Sequence, residues 1–143
     1  MAEYKYECAK VRIHDGIAWL TMNRPDKRNA MSPQLHYDMD DALARLEVDE
    51  DVKVVVVGGE GGNFSAGQDL QKFFRELERN PGERKKAAAA ANRWRCRILE
   101  LSSGIAVFTV ECLRRRFNEV LDHSSSIKSL SHRLLVSQRA RFQ

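Results

Sequence analysis

The run of four valines at residues 54–57, with the glycine-rich segment 58–67 directly after it, constrains the fold most. A short all-valine run is typical of a strand buried on both faces of a parallel sheet. Apolar residues then recur at helical spacing, at Leu70, Phe73, Phe74 and Leu77. A strand, a glycine loop and a helix start leave backbone N–H groups unpaired at the loop. These donors suit an anion or a developing oxyanion, and a plain strand-to-helix connection is the alternative.

The segment before the valines predicts a hairpin and a helix. Val11 and Ile13 alternate with polar residues, and Asp15-Gly16 is typical of a type I′ turn, so residues 17–22 should return as an antiparallel strand. Ser32 is a helix N-cap with Pro33 at the first helical position. One apolar stripe follows, at Leu35, Met39, Ala42, Leu43 and Leu46. This order predicts an α/β fold with a right-handed crossover between parallel strands.

Polar residues of the same helix lie off the apolar stripe, at Asp38, Asp40, Asp41 and Arg45. His36 is predicted to be a surface residue, because nothing near it in the sequence pairs it for catalysis. No spacing typical of metal ligands occurs anywhere in the chain, so no metal is expected.

A second helix is predicted after Asn80, which can cap it, with Pro81 at the first position and Glu83 at the third. Residues 87–91, Trp94, Ile98 and Leu101 continue it. Six of its side chains are basic, at Arg84, Lys85, Lys86, Arg93, Arg95 and Arg97. We interpret them as a solvated face. Residues 104–110 favour a further strand.

Two segments carry a resemblance to a known family. Residues 23–32 (Asn-Arg-Pro-Asp-Lys-Arg-Asn-Ala-Met-Ser) and 64–70 (Phe-Ser-Ala-Gly-Gln-Asp-Leu) resemble the crotonase (enoyl-CoA hydratase/isomerase) superfamily. Residues 16–22 and 73–76 look like the 4-hydroxycinnamoyl-CoA (feruloyl-CoA) hydratase/lyases of that superfamily. The resemblance covers residues 11–101 and implies the N-terminal part of a spiral of ββα units.

The resemblance implies that an acyl thioester of coenzyme A binds with its carbonyl oxygen between two backbone N–H donors, which stabilise an enolate. The backbone N–H of Gln68 matches the first donor. Positions matching contacts to coenzyme A are Lys27, Arg28, Ala66, Gln68 and Leu70. Coenzyme A enters as part of the substrate, with no permanently bound cofactor. A solvated cation pair is the alternative reading of Lys27 and Arg28.

The hydratase/lyases add water to the cinnamoyl double bond. They then cleave the product by a retro-aldol step to an aromatic aldehyde of the vanillin type and acetyl-CoA. Phe73 matches a tyrosine that helps to hold the substrate's phenol in that subfamily. Because Phe lacks the hydroxyl, another enoyl-CoA hydratase or isomerase is an open alternative. Asp69 is interpreted as an acid at a helix N-terminus and not as a catalytic base.

The composition changes at Gly104, where the resemblance has stopped. Residues 1–104 hold 17 basic and 17 acidic side chains and every Gly and Pro, whereas residues 105–143 hold 7 basic and 3 acidic ones. We divide the chain into a crotonase-like part, 1–104, and a basic tail, 105–143, which we hypothesise is a frame-shifted reading. The family's second donor and acid/base Glu match nothing there, since no Gly follows residue 104 and Glu111 and Glu119 lie in no matching motif. The chain is therefore expected to be truncated and inactive.

Other features of the sequence indicate the cellular location of the protein and its binding partners. Three cysteines without a CxxC pair, a polar N-terminus and no apolar run of ~18 residues predict a cytoplasmic protein without a membrane segment. The rival class is a non-catalytic interaction protein on half a crotonase fold. Nucleic-acid binding is disfavoured, because no aromatic-interleaved pattern accompanies the basic tail. The resemblance implies a homo-oligomer, a trimer or hexamer.

Overall fold

A computed structural model describes residues 2–101 and 106–110, which form one five-stranded sheet and two helices. The strands lie side by side in chain order. In sequence, the elements are β1 (Ala2–Lys5), β2 (Ala9–His14), β3 (Ile17–Met22), α1 (Pro33–Glu47), β4 (Val54–Gly59), α2 (Pro81–Leu101) and β5 (Ala106–Val110). Short 3-10 turns, Pro25–Lys27 and Glu60–Gly62, and a π-helical turn, Leu70–Arg75, lie in the connections.

The predicted hairpin is confirmed by β2 and β3, which pair antiparallel from Ala9 opposite Met22 to His14 opposite Ile17. Its turn residues, Asp15 and Gly16, have φ of 51° and 77°. Both lie in the left-handed region that a type I′ turn requires, which explains the Asp-Gly sequence.

The predicted parallel pairing is confirmed by β3 and β4, which run parallel from Ile17 beside Val54 to Met22 beside Gly59. Strand β5 pairs parallel on the other side of β4, so the strand predicted at 104–110 is also found. Val55, Val56 and Val57 are buried, as expected for a strand in the middle of a sheet. The loops after β3 and β4 therefore start at one edge of the sheet, where ligands bind in open α/β sheets.

Both helices begin as the sequence predicts. Ser32 Oγ accepts the Leu35 N–H at 3.2 Å, and Asn80 Oδ1 accepts the Glu83 N–H at 3.2 Å. The predicted apolar stripe of α1 is buried, with every member at most 1% exposed. Helix α2 packs against α1 through small residues, Ala87, Ala90 and Ala91, which are also buried.

The prediction that His36 lies on the surface is wrong, because its exposed fraction is 0%. Asp38, expected on a polar face, is buried as well, and its Oδ2 accepts the Cys8 N–H at 2.6 Å. The physical reason is that α1 is covered twice. The sheet covers the apolar stripe that the sequence reveals, and α2 covers a second face that carries His36.

The solvated basic face predicted for α2 is confirmed only in part. Arg84 and Lys85 are exposed, but Arg93 Nη2 lies 2.7 Å from Asp40 Oδ2 and Arg97 pairs with Glu47, so these two arginines join α2 to α1. None of the helices within residues 2–101 has the length and apolar character needed to cross a membrane. The predictions for residues 111–143, Glu111 and Glu119 among them, lie outside the described residues.

Candidate functional site

Asn29 joins the loop after β3 to the glycine loop after β4. Its side chain is fully buried, and its Nδ2 donates to the carbonyls of Glu60 at 2.9 Å and Asn63 at 2.7 Å. Its Oδ1 accepts the Arg24 N–H at 2.8 Å. Gly59 must lack a side chain here, because a Cβ would press on the Asn63 carbonyl and the Asn29 amide. One amide therefore fixes the distance between the two loops.

Further hydrogen bonds continue this junction along the second loop. The Ala66 N–H donates to the Arg28 carbonyl at 2.9 Å, and Ser65 Oγ donates to the Asn29 carbonyl at 2.8 Å. The same hydroxyl accepts the Gly67 N–H at 3.1 Å. Two segments about forty residues apart in the chain are thus held as neighbours, with Lys27 and Arg28 on one and Ala66 on the other.

The orientation of the Gln68 N–H follows from a bridge between Met31 and Gln68. The Met31 N–H donates to the Gly67 carbonyl at 2.8 Å, and the Asp69 N–H donates to the Met31 carbonyl at 3.0 Å. In a trans peptide the N–H points opposite to the preceding carbonyl. The Gln68 N–H therefore points away from Met31, and across residues 2–101 and 106–110 it donates to no acceptor. Gly67 makes the turn with φ of 90°, a conformation that favours glycine.

Arg24 and Asp69 form an ion pair that joins the loop after β3 to the residue that follows Gln68. Arg24 Nη1 lies 3.0 Å from Asp69 Oδ2, with only 12% and 11% of the two side chains exposed, and it also donates to the Ala30 carbonyl. Asp69 Oδ1 accepts the Lys72 N–H at 3.0 Å, which confirms the predicted helix-terminal acid. Burial raises the pKa of Asp69, but the hydrogen bonds from the Lys72 N–H and Arg24 outweigh it and hold that pKa below its ordinary value. The carboxylate is therefore structural and charged.

His36 lies behind Gln68 in a line of hydrogen bonds. Trp94 Nε1 donates to His36 Nδ1 at 3.1 Å, and His36 Nε2 lies 3.1 Å from Gln68 Oε1. Indole N–H is a donor only, so Nδ1 accepts and the proton is on Nε2, which donates to Gln68. Burial lowers the pKa of His36; the Gln68 bond opposes this shift and the charge of Arg95 adds to it. The imidazole is therefore neutral at pH 7.

The other predicted site residues fall into two groups. Lys27, Arg28, Ala66 and Leu70 are exposed around the two joined loops, and the exposed fraction of Leu70 is 70%. Phe73 is only 7% exposed and packs edge-on against His36, with ring centroids 5.7 Å apart. The predicted coenzyme positions other than Gln68 are thus exposed, whereas Phe73 is buried. Whether these residues bind substrate stays a prediction.

Sequence reasoning missed four residues that build this site: Arg24, Asn29, His36 and Trp94. A signal existed only for Asn29, because Asn tolerates the left-handed conformation, and its φ is 54°. Within the described residues no group of three or more His, Cys, Asp or Glu side chains is placed to hold a metal ion.

Residues 12–96, more than half of the chain, match the family model of the enoyl-CoA hydratases and isomerases. The chain belongs to the enoyl-CoA hydratase/isomerase family. The predicted resemblance to that family is therefore confirmed, and with it the crotonase-like α/β fold.

Relatives of this enoyl-CoA hydratase/isomerase chain cover it unequally. Hydroxycinnamoyl-CoA hydratase-lyase of Pseudomonas fluorescens is 41% identical over 100 residues, which span 69% of this chain and 36% of the relative. 4-Chlorobenzoyl coenzyme A dehalogenase-2 of an Arthrobacter species is 48% identical over 58 residues, 41% of this chain and 21% of the relative.

Among solved structures, an enoyl-CoA hydratase/isomerase from Mycobacterium paratuberculosis superposes with a TM-score of 0.65. It is 26% identical, and the match covers 76% of this chain and 43% of that one. The chain thus spans about a third of the first curated relative and less than half of this solved structure.

Proposed function

We propose that this chain binds an acyl thioester of coenzyme A and that the Gln68 N–H donates to the thioester carbonyl. The observation that carries the proposal is the Gln68 N–H itself, which points away from Met31, is held by the Met31 bridge and is bonded to nothing in the described part of the chain. A preorganised donor of this kind stabilises charge as it develops on the oxygen. Its loss from other enzymes costs about 3 kcal/mol.

The reaction we propose for the whole enzyme is that of a hydroxycinnamoyl-CoA hydratase/lyase. Water adds to the double bond of the cinnamoyl thioester, and the β-hydroxy product is cleaved to an aromatic aldehyde and acetyl-CoA. Both steps pass through an enolate of the thioester, which is where the Gln68 donor acts. The 41% identity to the Pseudomonas fluorescens enzyme supports this choice.

A second candidate is another hydratase or isomerase reaction on an enoyl-CoA. It is favoured by Phe73, which lacks a hydroxyl and is buried against His36. Such a ring offers no hydrogen bond to a substrate phenol. Comparing cinnamoyl-CoA with its 4-hydroxy derivative separates the two candidates, because only a phenol-recognising site binds the hydroxylated thioester more tightly.

For the coenzyme, we propose that Lys27 and Arg28 contact its phosphates and that Ala66 and Leu70 lie along its pantetheine and adenine. The support is their exposure around loops that the Asn29 amide and the Ala66 N–H hold together. A homo-oligomer is part of the same proposal, on the family resemblance alone, and a cytoplasmic location is proposed on the three cysteines without a CxxC pair.

Titration calorimetry with acetyl-CoA tests the binding proposal. We expect weak binding that Lys27→Ala weakens several-fold, since a charged contact to phosphate is lost. Lys85→Ala is the matched control, because it removes one exposed lysine from α2 and leaves the two loops unchanged. Binding that is insensitive to Lys27→Ala, or equally sensitive to both changes, would refute the assignment.

We further propose that the 143-residue chain does not turn over, because a single donor does not complete an oxyanion hole and no sequence after Gly104 matches the second one. The assay is release of vanillin from feruloyl-CoA by the purified chain. Turnover near ~1 s⁻¹, an ordinary enzyme rate, would contradict this. Reading the coding DNA around codon 104 in all three frames tests the frame-shift hypothesis, which requires a glycine-rich continuation in another frame.

A further inference from the structure

The backbone on both sides of residue 68 is held by the Met31 bridge, but Gly67 itself resists rotation little, so a contact to the Gln68 side chain adds to the hold on its N–H. The peptide between Gly67 and Gln68 carries the candidate donor, and Gly67 has no side chain and sits in open space at φ of 90°. Glycine allows the flanking torsion wide freedom. The direction of the Gln68 N–H is therefore set by the two Met31 bonds, to the Gly67 carbonyl and from the Asp69 N–H, and by the contact that holds the Gln68 side chain.

The side chain of Gln68 is held from the interior. His36 Nε2 lies 3.1 Å from Gln68 Oε1, and His36 is completely buried. Trp94 Nε1 donates to His36 Nδ1 and its ring stacks on the imidazole, with centroids 6.2 Å apart and an interplanar angle of 26°. Trp94 thus selects the tautomer that presents an N–H to Gln68.

We infer that His36 is a positioning residue for the Gln68 donor: α2 sets its tautomer through Trp94, and its Nε2–H fixes the Gln68 side chain and hence the direction of the backbone N–H. The inference rests on the proposed function of Gln68. It assigns no contact between His36 and substrate. His36 acts only through residue 68.

A purely structural His36 would fill space and pair two helices, without affecting how the site treats a carbonyl. The distinguishing quantity is therefore the preference for a thioester over a thioether of coenzyme A, which lacks the carbonyl oxygen. Acetyl-CoA and S-ethyl-CoA are the two probes. Because the Gln68 N–H bonds only the carbonyl, the ratio of their dissociation constants reports that bond and cancels the coenzyme contacts.

NMR titration of the 143-residue chain gives both dissociation constants for each variant. For the wild-type chain we expect acetyl-CoA to bind about tenfold more tightly, the equivalent of about 1.4 kcal/mol for one hydrogen bond. His36→Leu removes the donor at similar volume and should reduce the preference to about twofold or less. His36→Gln places an amide N–H near the position of Nε2 and should restore most of it.

Two controls keep the inference falsifiable. Leu43→Ala creates a cavity in the same helix, away from Gln68, so it should lower the free energy of unfolding without changing the ratio. Gln68→Ala keeps the backbone N–H and the histidine but removes the anchored side chain, and it should lose the preference as His36→Leu does. It takes the place of His36→Leu if that variant does not fold.

The outcomes separate the inference from the proposed function. If His36→Leu and Gln68→Ala both keep the preference of the wild-type chain for the thioester over the thioether, the positioning role is overturned and the donor assignment stays intact. A wild-type chain with no preference for the thioester would overturn the donor assignment and the inference with it. Loss in both variants, recovery in His36→Gln and no change in Leu43→Ala would support the inference.

Discussion

Replacing Asn29 with alanine should unlock the two loops of the site, and the structure gives the size of the effect. The substitution removes three hydrogen bonds: the one that Asn29 accepts from the Arg24 N–H, and the two that it donates to the carbonyls of Glu60 and Asn63. At about 1 kcal/mol each these bonds amount to about 3 kcal/mol. Alanine at a φ of 54° adds about 1 kcal/mol, because Asn tolerates this region and Ala does not. We expect a total loss of about 4 kcal/mol in the free energy of unfolding.

Two further variants of the same residue divide this total. Asn29→Gly accepts the left-handed conformation, so it should cost about 3 kcal/mol from the hydrogen bonds alone. Asn29→Asp keeps the acceptor for the Arg24 N–H but points a carboxylate at the carbonyls of Glu60 and Asn63. It should be at least as damaging as alanine, because a buried charge then faces two acceptors.

Urea unfolding followed by circular dichroism measures these losses, with acetyl-CoA affinity measured in parallel. Affinity should fall as well, since the loops that carry Lys27 and Gln68 lose their common tie. If Asn29→Ala costs less than about 1 kcal/mol, the amide is not a tie between the loops and the estimate from its bonds is wrong.

Three other perturbations follow from the site. Because the pKa of His36 is lowered on folding, its contribution to stability is complete above pH 6.5 and decreases as the pH falls below that value. Urea titrations should show that the free energy of unfolding falls less between pH 7.5 and pH 5 in His36→Leu than in the unsubstituted chain. An equal fall in both would count against a buried neutral imidazole. Asp69→Asn should lower the free energy of unfolding by about 2 kcal/mol at pH 7, the value of a charged hydrogen bond. Because the pKa of Asp69 is lowered on folding, this loss should vanish in strong acid. A loss that does not depend on pH would contradict the ion pair with Arg24. In Gly67→Ala the new Cβ meets no atom within 4 Å, so the substitution should lower the free energy of unfolding only by the backbone strain of about 1–2 kcal/mol. It should also weaken acetyl-CoA binding, because the strain turns the peptide that carries the Gln68 N–H. Unchanged binding would argue against the Gln68 donor.

The elements that the sequence predicts correctly are those whose cause is local. The Asp15-Gly16 turn, the Ser32 cap and the Asn80 cap each depend on residues within four positions, so their patterns are legible without a fold. The valine strand is equally legible, because only burial on both faces explains an unbroken apolar run.

His36 shows why the other parts of the site could not be predicted from the sequence. Its partners, Gln68 and Trp94, are 32 and 58 residues away in the chain. The Trp94 bond exists only because α2 lies across α1, and the Gln68 bond only because the connection after β4 reaches α1. The apolar periodicity of a helix indicates the face that meets the sheet, but it does not indicate a second buried face that mixes polar and apolar residues. The ion pair between Arg24 and Asp69 was missed for the same reason, since its partners are 45 residues apart and leave no local signature, although Asp69 was predicted as a helix-terminal acid.

The parallel pairing of β3 with β4 also sets when the site is built. The β2–β3 hairpin closes through a two-residue turn, an event of about 1–10 μs, whereas β4 reaches β3 only after the whole crossover through α1 is in place. The bonds from Asn29 to Glu60 and Asn63 must therefore form late in folding. Substitutions of Asn29 should then accelerate unfolding and leave the folding rate nearly unchanged, so the two loops limit how long the native chain survives and have little influence on how fast it forms.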